Sequence, residues 1–283
     1  HAIEFVGEEI DWKKYTLFSD RHPGLVKAIQ LVFADTSHSI CLRHLVDNFK
    51  TQVKRNEQYE LICMSDKYEF GVVYIFQVMR MYPRHDKKHW CGMLNAAACA
   101  LTDDEFQRNI NAIVKACPNA RKFIDDSSPM RWANSLFPGH RWGEVNNNVA
   151  ESWNSWAVNA RGMPPGAMVD EIRKKIMVMM DERREGGQAM FGRLCPSIEK
   201  VIDENFRSSR KVIVRRGSRG VFEVEDHKGV VKVDVDQRKC SCRSWQVVGI
   251  PCAHALACIS KMCRDPYDFT DPYYTVETYR KAY

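Results

Sequence analysis

One stretch, KCSCRSWQVVGIPCAHALACI at residues 239–259, decides the C-terminal fold. It holds a Cys-x-Cys pair, Cys240 and Cys242, and after nine further residues a Cys-x-His pair, Cys252 and His254. A structural zinc site closes four tetrahedral positions with cysteine thiolates and histidine nitrogens. Two tight pairs of these ligand types therefore predict one structural Zn²⁺ site with three sulfurs and one imidazole.

Turn-forming residues allow the two pairs to meet. A Cys-x-Cys pair at the end of a strand can direct both thiolates to one point if the chain turns there, and Gly249 and Pro251 supply a second turn before the second pair. The segment Ala255–Ile259 is typical of a helix, which would carry His254 on its first turn. The alternative interpretation is three free cysteines and a surface histidine, and the paired spacing favours zinc over it.

The chain has eleven cysteines among 283 residues, an odd number without the spacing of a compact disulfide framework. Cys258 lies one helical turn beyond His254 and competes with it as a ligand, but its apolar neighbours predict a core thiol. Cys263 is expected to be a bystander. This cysteine usage favours a reducing compartment, the cytosol or the nucleus.

Three short stretches ahead of the ligand pairs have the composition of strands: Lys211–Val214, Val221–Glu225 and Val230–Asp236. In the third, valines alternate with charged residues, which is typical of a strand with one buried face. We therefore predict a small β-rich domain over residues 206–283, after a boundary near 205–216.

Strand and helix patterns alternate near the N-terminus. Tyr15–Ser19 is a run of strand formers, a helical pattern begins near Pro23, and Ser37–Cys41 is a second strand followed by another helical pattern. This order predicts an α/β layer rather than a helical bundle.

The middle of the chain is predicted to be helical. The pattern from Lys88 to about Asp126 is purely helical, and Thr102 with Glu105 forms a T-x-x-E capping box. Further helices are expected at about Asn147–Val158 and from Met168 to about Arg184.

The spacing C-x-C-x9-C-x-H resembles the SWIM zinc finger. Together with DPYDFTDPYYTVETYRKAY behind it, the segment looks like the C-terminal part of plant Mutator-like transposases. Upstream, LFSDRHPGLVKAI followed by HSICLRHLVDNFK resembles the segment around the second catalytic aspartate of that family. RWGEVNNNVAESWNSW is similar to the segment that carries its catalytic glutamate.

The resemblance implies a partial RNase H-like transposase core over residues 1–205, with an α-helical insertion at about 80–145, and a SWIM module behind it. Such enzymes cut and join DNA with two Mg²⁺ or Mn²⁺ ions held by three carboxylates. Oxygen ligands suit these ions, whereas thiolates do not.

The resemblance assigns Asp20 and Glu151 to the second and third carboxylates, with Glu144 as a weaker candidate. Asp20 follows a strand and precedes a helix, and from the sequence alone its better interpretation is the N-cap of that helix. Glu151 lies off the apolar stripe of its helix, so the alternative is a solvated glutamate.

The first aspartate should lie on a strand before Asp20. Only Glu4, Glu8, Glu9 and Asp11 precede it, and none sits in a convincing strand. The chain also begins without Met, so we interpret it as an internal fragment that lacks the first ligand. Mg²⁺ or Mn²⁺ is therefore expected only if the full-length chain is catalytic.

Two further segments bear on the resemblance. Cys41 and His44 are similar to a C-x-x-H pair of the same transposases, but two ligands do not make a zinc site, so we expect a structural role. Residues 54–78 do not resemble the family, and we interpret them as an insertion or a retained intron.

Charge is compatible with DNA. The formal net charge is +6, and residues 171–216 contain 12 basic and 7 acidic side chains. This region is equally well explained by phosphate contacts or by solvated helix faces. The longest apolar run, Phe70–Met79, is far shorter than the roughly 20 residues that span a bilayer, so no membrane is expected.

We thus expect a zinc-binding, DNA-associated transposase fragment in the nucleus, with formation of a homo-oligomer left open. The alternatives are a domesticated, non-catalytic regulator of transcription and a protein-interaction module that zinc merely staples.

Overall fold

The computed structural model describes residues 13, 15–52, 84–217 and 220–283, apart from the side chains of 84–88 and 149–151. The chain divides into two compact units, residues 1–147 and residues 148–283. The predicted boundary near 205–216 stays a prediction. The segment 54–78 and the acidic residues before residue 12 lie outside the described residues.

Two parallel strands and a connecting helix open the first unit. β1 (Thr16–Ser19) pairs with β2 (Ser37–Ile40) so that Thr16 lies opposite Ser37, and α1 (Pro23–Val32) connects them. The predicted strand–helix–strand order is confirmed. α1 begins with proline, whose fixed φ suits the first helical position.

Helices follow β2, as predicted: α2 (residues 42–52), α3 (Arg84–Cys99), α4 (Asp103–Ala116) and α5 (Ala120–Asp126). Their fully buried side chains include Leu45, Phe49, Leu94, Ile113 and Ile124, and Trp132 behind α5 is fully buried as well. At the start of α4 the Thr102 hydroxyl accepts the Glu105 N–H at 3.3 Å, as a capping box requires. The Glu105 carboxylate instead accepts the Leu101 N–H, so the reciprocal bond falls one residue earlier.

A buried cation joins β2 to the segment after α5. Arg141 is only 5% exposed, and its guanidinium donates to the Ser39 hydroxyl, the Asn134 side chain and the Trp132 carbonyl at 2.8–3.1 Å. The acceptors of these hydrogen bonds are all neutral groups. Burial lowers the pKa of Arg141 to about 10, because the charged form loses its hydration.

Helices also begin the second unit: α6 (Asn148–Trp156), a 3₁₀ turn (Val158–Gly162), α7 (Pro165–Ala189) and α8 (Pro196–Ser209). The expected helices near 147–158 and 168–184 are confirmed, and α7 extends beyond the expected bounds on both sides. α8 was not predicted, although proline again stands at its first position.

A four-stranded antiparallel sheet in the order β3-β4-β5-β6 follows: β3 (Ile213–Arg216), β4 (Val221–Asp226), β5 (Gly229–Asp234) and β6 (Lys239–Cys240). The predicted alternation is confirmed, since Val233 and Val235 are fully buried while Lys232 and Asp236 are exposed. The remaining helices are α9 (Ser244–Val248), α10 (Ala253–Lys261) and α11 (Val276–Ala282).

The core of the second unit lies between this sheet and its helices. Its buried side chains include Phe222, Val224, Trp245, Ile250, Leu256 and Ile259. The described chain is therefore a mixed α/β protein with a small antiparallel sheet near its C-terminus. No helix in the described ranges combines the length and the apolar character that a bilayer crossing needs.

Candidate metal centre

The first ligand pair is placed by a tight turn at the end of β6. Cys240 lies opposite Val233 of β5, and behind it the chain reverses as the Arg243 N–H donates to the Cys240 carbonyl at 2.8 Å. Arg243 adopts a left-handed conformation, with φ of 60°, just before α9. The turn brings the side chains of Cys240 and Cys242 to one side of the strand end.

The second pair is placed by the start of α10. Cys252 is the N-cap residue, and its carbonyl accepts the Leu256 N–H at 2.9 Å. His254 therefore lies on the first turn of α10, as predicted. The loop before it is fixed by Asn205 of α8, whose side-chain amide donates to the Pro251 carbonyl at 3.1 Å.

The four predicted ligands come together. Their ligand atoms all lie within 4.8 Å of one another. The sulfurs of Cys242 and Cys252 are 3.6 Å apart, and His254 Nδ1 lies 3.8 Å from Cys240 Sγ and 3.9 Å from Cys252 Sγ. Two sulfurs each about 2.3 Å from a tetrahedral zinc ion are separated by about 3.8 Å. The cluster thus has the dimensions of a Cys₃His site and fits a structural zinc ion.

Hydrogen bonds within the cluster shift the ionisation of its members. Hydrogen bonds with Cys240 and Cys252 lower the pKa of Cys242 far below that of an ordinary thiol. The hydrogen bond with Cys242 raises the pKa of Cys240, so the Cys240 thiol keeps its proton. Bonds with Cys242 and Cys252 raise the pKa of His254 to about 10. Zn²⁺ must displace these protons, because it binds thiolates and a neutral imidazole.

The far side of the His254 ring contacts a carboxylate. Asp226, the last residue of β4, places Oδ2 at 3.0 Å from His254 Nε2. Its other oxygen accepts the N–H groups of Lys228 and Gly229 at 2.7 and 3.0 Å. The hydrogen bond with His254 lowers the pKa of Asp226, and the Lys228 N–H adds to that effect. Asp226 remains an anion beside the imidazole.

The comparisons with known proteins agree with this geometry. Residues 230–261 match the family model of the SWIM zinc finger. These residues form a SWIM zinc finger. Searches of curated proteins and of solved structures found no match to the chain. The predicted SWIM module is therefore confirmed, and membership of the Mutator-like transposases stays a prediction.

The two neighbouring cysteines do not join the zinc-finger cluster. Cys258 is fully buried, and burial raises the pKa of its thiol to about 12, as expected of a core residue. Cys263 is exposed. Within the described part of the chain, the SWIM finger holds the one group of three or more metal-ligand side chains that lie close together.

The predicted carboxylate ligands belong to different units. Asp20 directly follows β1, and its Oδ1 accepts the His22 N–H at 3.0 Å. The N-cap residue of α1 is His22, immediately before Pro23, so the prediction that Asp20 caps this helix is wrong. The proline fixes the helix start two residues too late for Asp20.

Glu151 lies in α6, as expected of a helical position, but its side chain is outside the described residues. Glu144 is exposed. The catalytic role of Asp20 and Glu151 stays a prediction.

Cys41 and His44 differ in their exposure to solvent. Cys41 is fully buried, and its sulfur accepts the Asn147 N–H at 3.3 Å, whereas His44 is exposed on α2. No second pair converges on Cys41 among the described residues. The structural role expected of Cys41 stays a prediction.

Two residues that contact the zinc ligands were not predicted. Asp226 precedes His-Lys-Gly, and an aspartate in that position signals a turn but says nothing about a histidine 28 residues later. Gln246 of α9 hydrogen-bonds the backbone of Cys240. A lone glutamine between the two pairs carries no recognisable signal in the sequence.

Proposed function

We propose that this chain is a zinc-stabilised, DNA-associated nuclear protein of Mutator-like transposase ancestry. The observation that carries the proposal is the Cys₃His cluster of the SWIM finger, whose spacing suits one tetrahedral Zn²⁺. The ancestry is supported by the quoted resemblance and by Asp20, which follows the first of two parallel strands joined by a helix.

The zinc ion would be structural. Four protein ligands close the coordination sphere and leave no position for substrate or water, which is the arrangement of non-catalytic sites. Cys240 and Cys242 come from the end of the sheet, while Cys252 and His254 come from the start of α10. One ion would therefore cross-link the sheet to the helix and supply folding free energy to the second unit.

Ion pairs and hydrogen bonds within the chain reduce the number of basic residues that are available for DNA phosphates. Seven of the twelve basic residues in 171–216 form ion pairs or hydrogen bonds with other groups of the chain: Arg173 and Lys174 with Asp170, Lys175 with Trp156, Arg183 and Arg184 with Tyr283, Arg193 with Asp265, and Arg215 with Glu225. The other five are exposed, and four of them lie within residues 207–216: Arg207, Arg210, Lys211 and Arg216. We place the phosphate contacts at this basic segment, 207–216.

The salt dependence of DNA binding tests this placement. Removing one phosphate contact should reduce the slope of log affinity against log salt by about 0.9 on duplex DNA. We expect the double variant Arg207→Gln/Lys211→Gln to bind a mixed-sequence duplex more weakly and to have a shallower slope. The matched control is Arg173→Gln/Lys174→Gln, which removes the same charge from residues paired with Asp170. Equal slopes for both double variants would reject the basic segment.

A second function is favoured by the outer face of the sheet. Its exposed or half-buried charges alternate in sign across neighbouring strands, with Arg215 opposite Glu223 and Glu223 opposite Lys232. Such a face has little attraction for phosphates and suits contact with another protein. If the wild-type protein does not bind duplex DNA even at low salt, the protein-interaction module becomes the better account.

The proposed role of Asp20 and Glu151 in catalysis needs a separate test. Asp20 and Glu151 would supply two of three carboxylates for Mg²⁺ or Mn²⁺, with the first aspartate coming from outside this sequence. In a protein that contains that aspartate, Asp20→Asn should abolish DNA strand cleavage, whereas Asp35→Asn should not. Asp35 is an exposed residue that pairs with Lys13. Full cleavage by the Asp20 variant would reject Asp20 as a metal ligand, and a wild type that does not cleave would favour a domesticated, non-catalytic protein.

A further inference from the structure

We propose that Asp226 is a positioning residue of the zinc centre, which holds His254 so that Nδ1 binds the metal. The inference rests on the proposed zinc binding. Asp226 ends β4 and lies outside residues 230–261, the segment that matches the SWIM family model. The functional zinc module would then begin upstream of that segment, at the turn between β4 and β5.

The orientation of the His254 ring is the first argument. Nδ1 lies 3.8 and 3.9 Å from the sulfurs of Cys240 and Cys252, while Nε2 lies 3.0 Å from Asp226 Oδ2. An imidazole that binds zinc through Nδ1 carries its proton on Nε2, and that N–H needs an acceptor. The two side chains are 14% and 13% exposed, so water has little access to replace the carboxylate.

The Asp226 carboxylate is itself fixed, which is the second argument. Oδ1 accepts the N–H groups of Lys228 and Gly229 in the turn, so the carboxylate cannot rotate freely away from His254. Gly229 has φ of 134°, a conformation that side chains disfavour, and it lets the turn close on the carboxylate. A backbone turn thus fixes the acid, and the acid fixes the ring.

Asp226 is a partner of the histidine rather than a fifth ligand. Its oxygen contacts the ring nitrogen on the opposite edge from the sulfurs, and it is not among the atoms that lie within 4.8 Å of one another. Both carboxylate oxygens act as acceptors at once. An asparagine offers only one acceptor oxygen, so it must give up either the turn or the histidine.

The first test is zinc affinity of the full chain, measured by competition with a chromophoric chelator. Loss of such a partner typically weakens metal binding about 10–100-fold, and we expect this for Asp226→Asn. The matched control is Asp234→Asn, because Asp234 also accepts a turn N–H, from Gln237 at 2.9 Å, but contacts no ligand. Its zinc affinity should stay within about twofold of wild type.

The second test uses the zinc-loaded wild type and so does not depend on how the variant folds. Long-range ¹H–¹⁵N NMR spectra should show His254 protonated at Nε2 and metal-bound at Nδ1. Metal-bound Nε2, or an Asp226→Asn affinity equal to wild type, would overturn the role of Asp226 while leaving zinc binding intact. A wild type that binds no zinc would instead refute the proposed function itself.

Discussion

The side chain of Gln246 hydrogen-bonds both backbone groups of Cys240. Its carbonyl oxygen accepts the Cys240 N–H at 3.2 Å, and its amide donates to the Cys240 carbonyl at 2.9 Å. The glutamine side chain therefore hydrogen-bonds the backbone as a neighbouring strand would. It does so at Cys240, which is both the last residue of β6 and the first zinc ligand. The position of the Cys240 thiol depends on α9 as well as on the strand.

Replacing Gln246 with alanine should loosen this ligand. Each hydrogen bond contributes about 0.5–1.5 kcal/mol, so we expect the free energy of unfolding of the zinc-loaded chain to fall by about 1–3 kcal/mol. Urea denaturation measures the change. Gln237→Ala is the control, since Gln237 is exposed and its side-chain carbonyl accepts a hydrogen bond from the exposed Lys239. Equal stability of the two variants would mean that Gln246 does not hold the turn.

Replacing Gly249 at the end of α9 should destabilise the second unit. It is the C-cap residue with φ of 78°, and its carbonyl accepts the Asp271 N–H at 2.9 Å. A left-handed conformation costs other residues roughly 1–2 kcal/mol, so Gly249→Ala should destabilise the second unit by about that amount.

Gly186→Ala should change the stability in the opposite direction from Gly249→Ala. Gly186 lies inside α7 with open space where a methyl group would be added. Alanine at an interior helical position stabilises by roughly 0.5–1 kcal/mol. Thermal denaturation of the two variants should shift in opposite directions, and a Gly249 variant as stable as wild type would contradict the backbone assignment.

His38 should make the first unit sensitive to acid. Ser19 Oγ lies 2.8 Å from Nε2, and Arg131 lies 3.4 Å from Nδ1. Arginine can only donate, so Nδ1 must accept and the ring is neutral. Burial, and then the charge of Arg131, lower the pKa of His38 below 6.5. The unfolded chain therefore binds this proton more readily, and stability present above pH 6.5 is lost as the pH falls through the lowered pKa.

Unfolding free energies at about pH 7.5 and about pH 5 test the prediction for His38. The loss of stability between the two values should be smaller for His38→Gln than for wild type. His44→Gln should behave as wild type, because His44 is exposed on α2. An unchanged acid sensitivity in the His38 variant would remove His38 from this account.

Local sequence patterns predicted the parts of the fold that are set by local chemistry. The turn residues around Gly249, the alternating valines of β5 and the first turn of α10 follow from backbone preferences and period alone, and each is found as expected. The four ligands could be named for the same reason, because zinc demands a residue type and a spacing that are both visible in the sequence.

Long-range contacts between polar groups could not be predicted in this way. Arg141 is buried among neutral acceptors more than a hundred residues from Ser39, and Asp226 meets His254 only because β4 and α10 pack together. Asp20 failed as a helix cap for a local reason, because α1 begins at Pro23 and the N-cap residue is therefore His22. For Arg141 and Asp226, the partner is chosen by tertiary structure, and the sequence nearby gives no sign of it.

The measurement that tests the account most directly is the metal content of the full chain, by native mass spectrometry and elemental analysis. We predict one Zn²⁺ per chain in wild type and in Cys263→Ser, whose thiol is exposed and outside the cluster. Cys252→Ser should lose the ion, and chelation of wild type should unfold the second unit. A wild type without zinc, or a Cys252 variant that keeps it as firmly, would contradict the account.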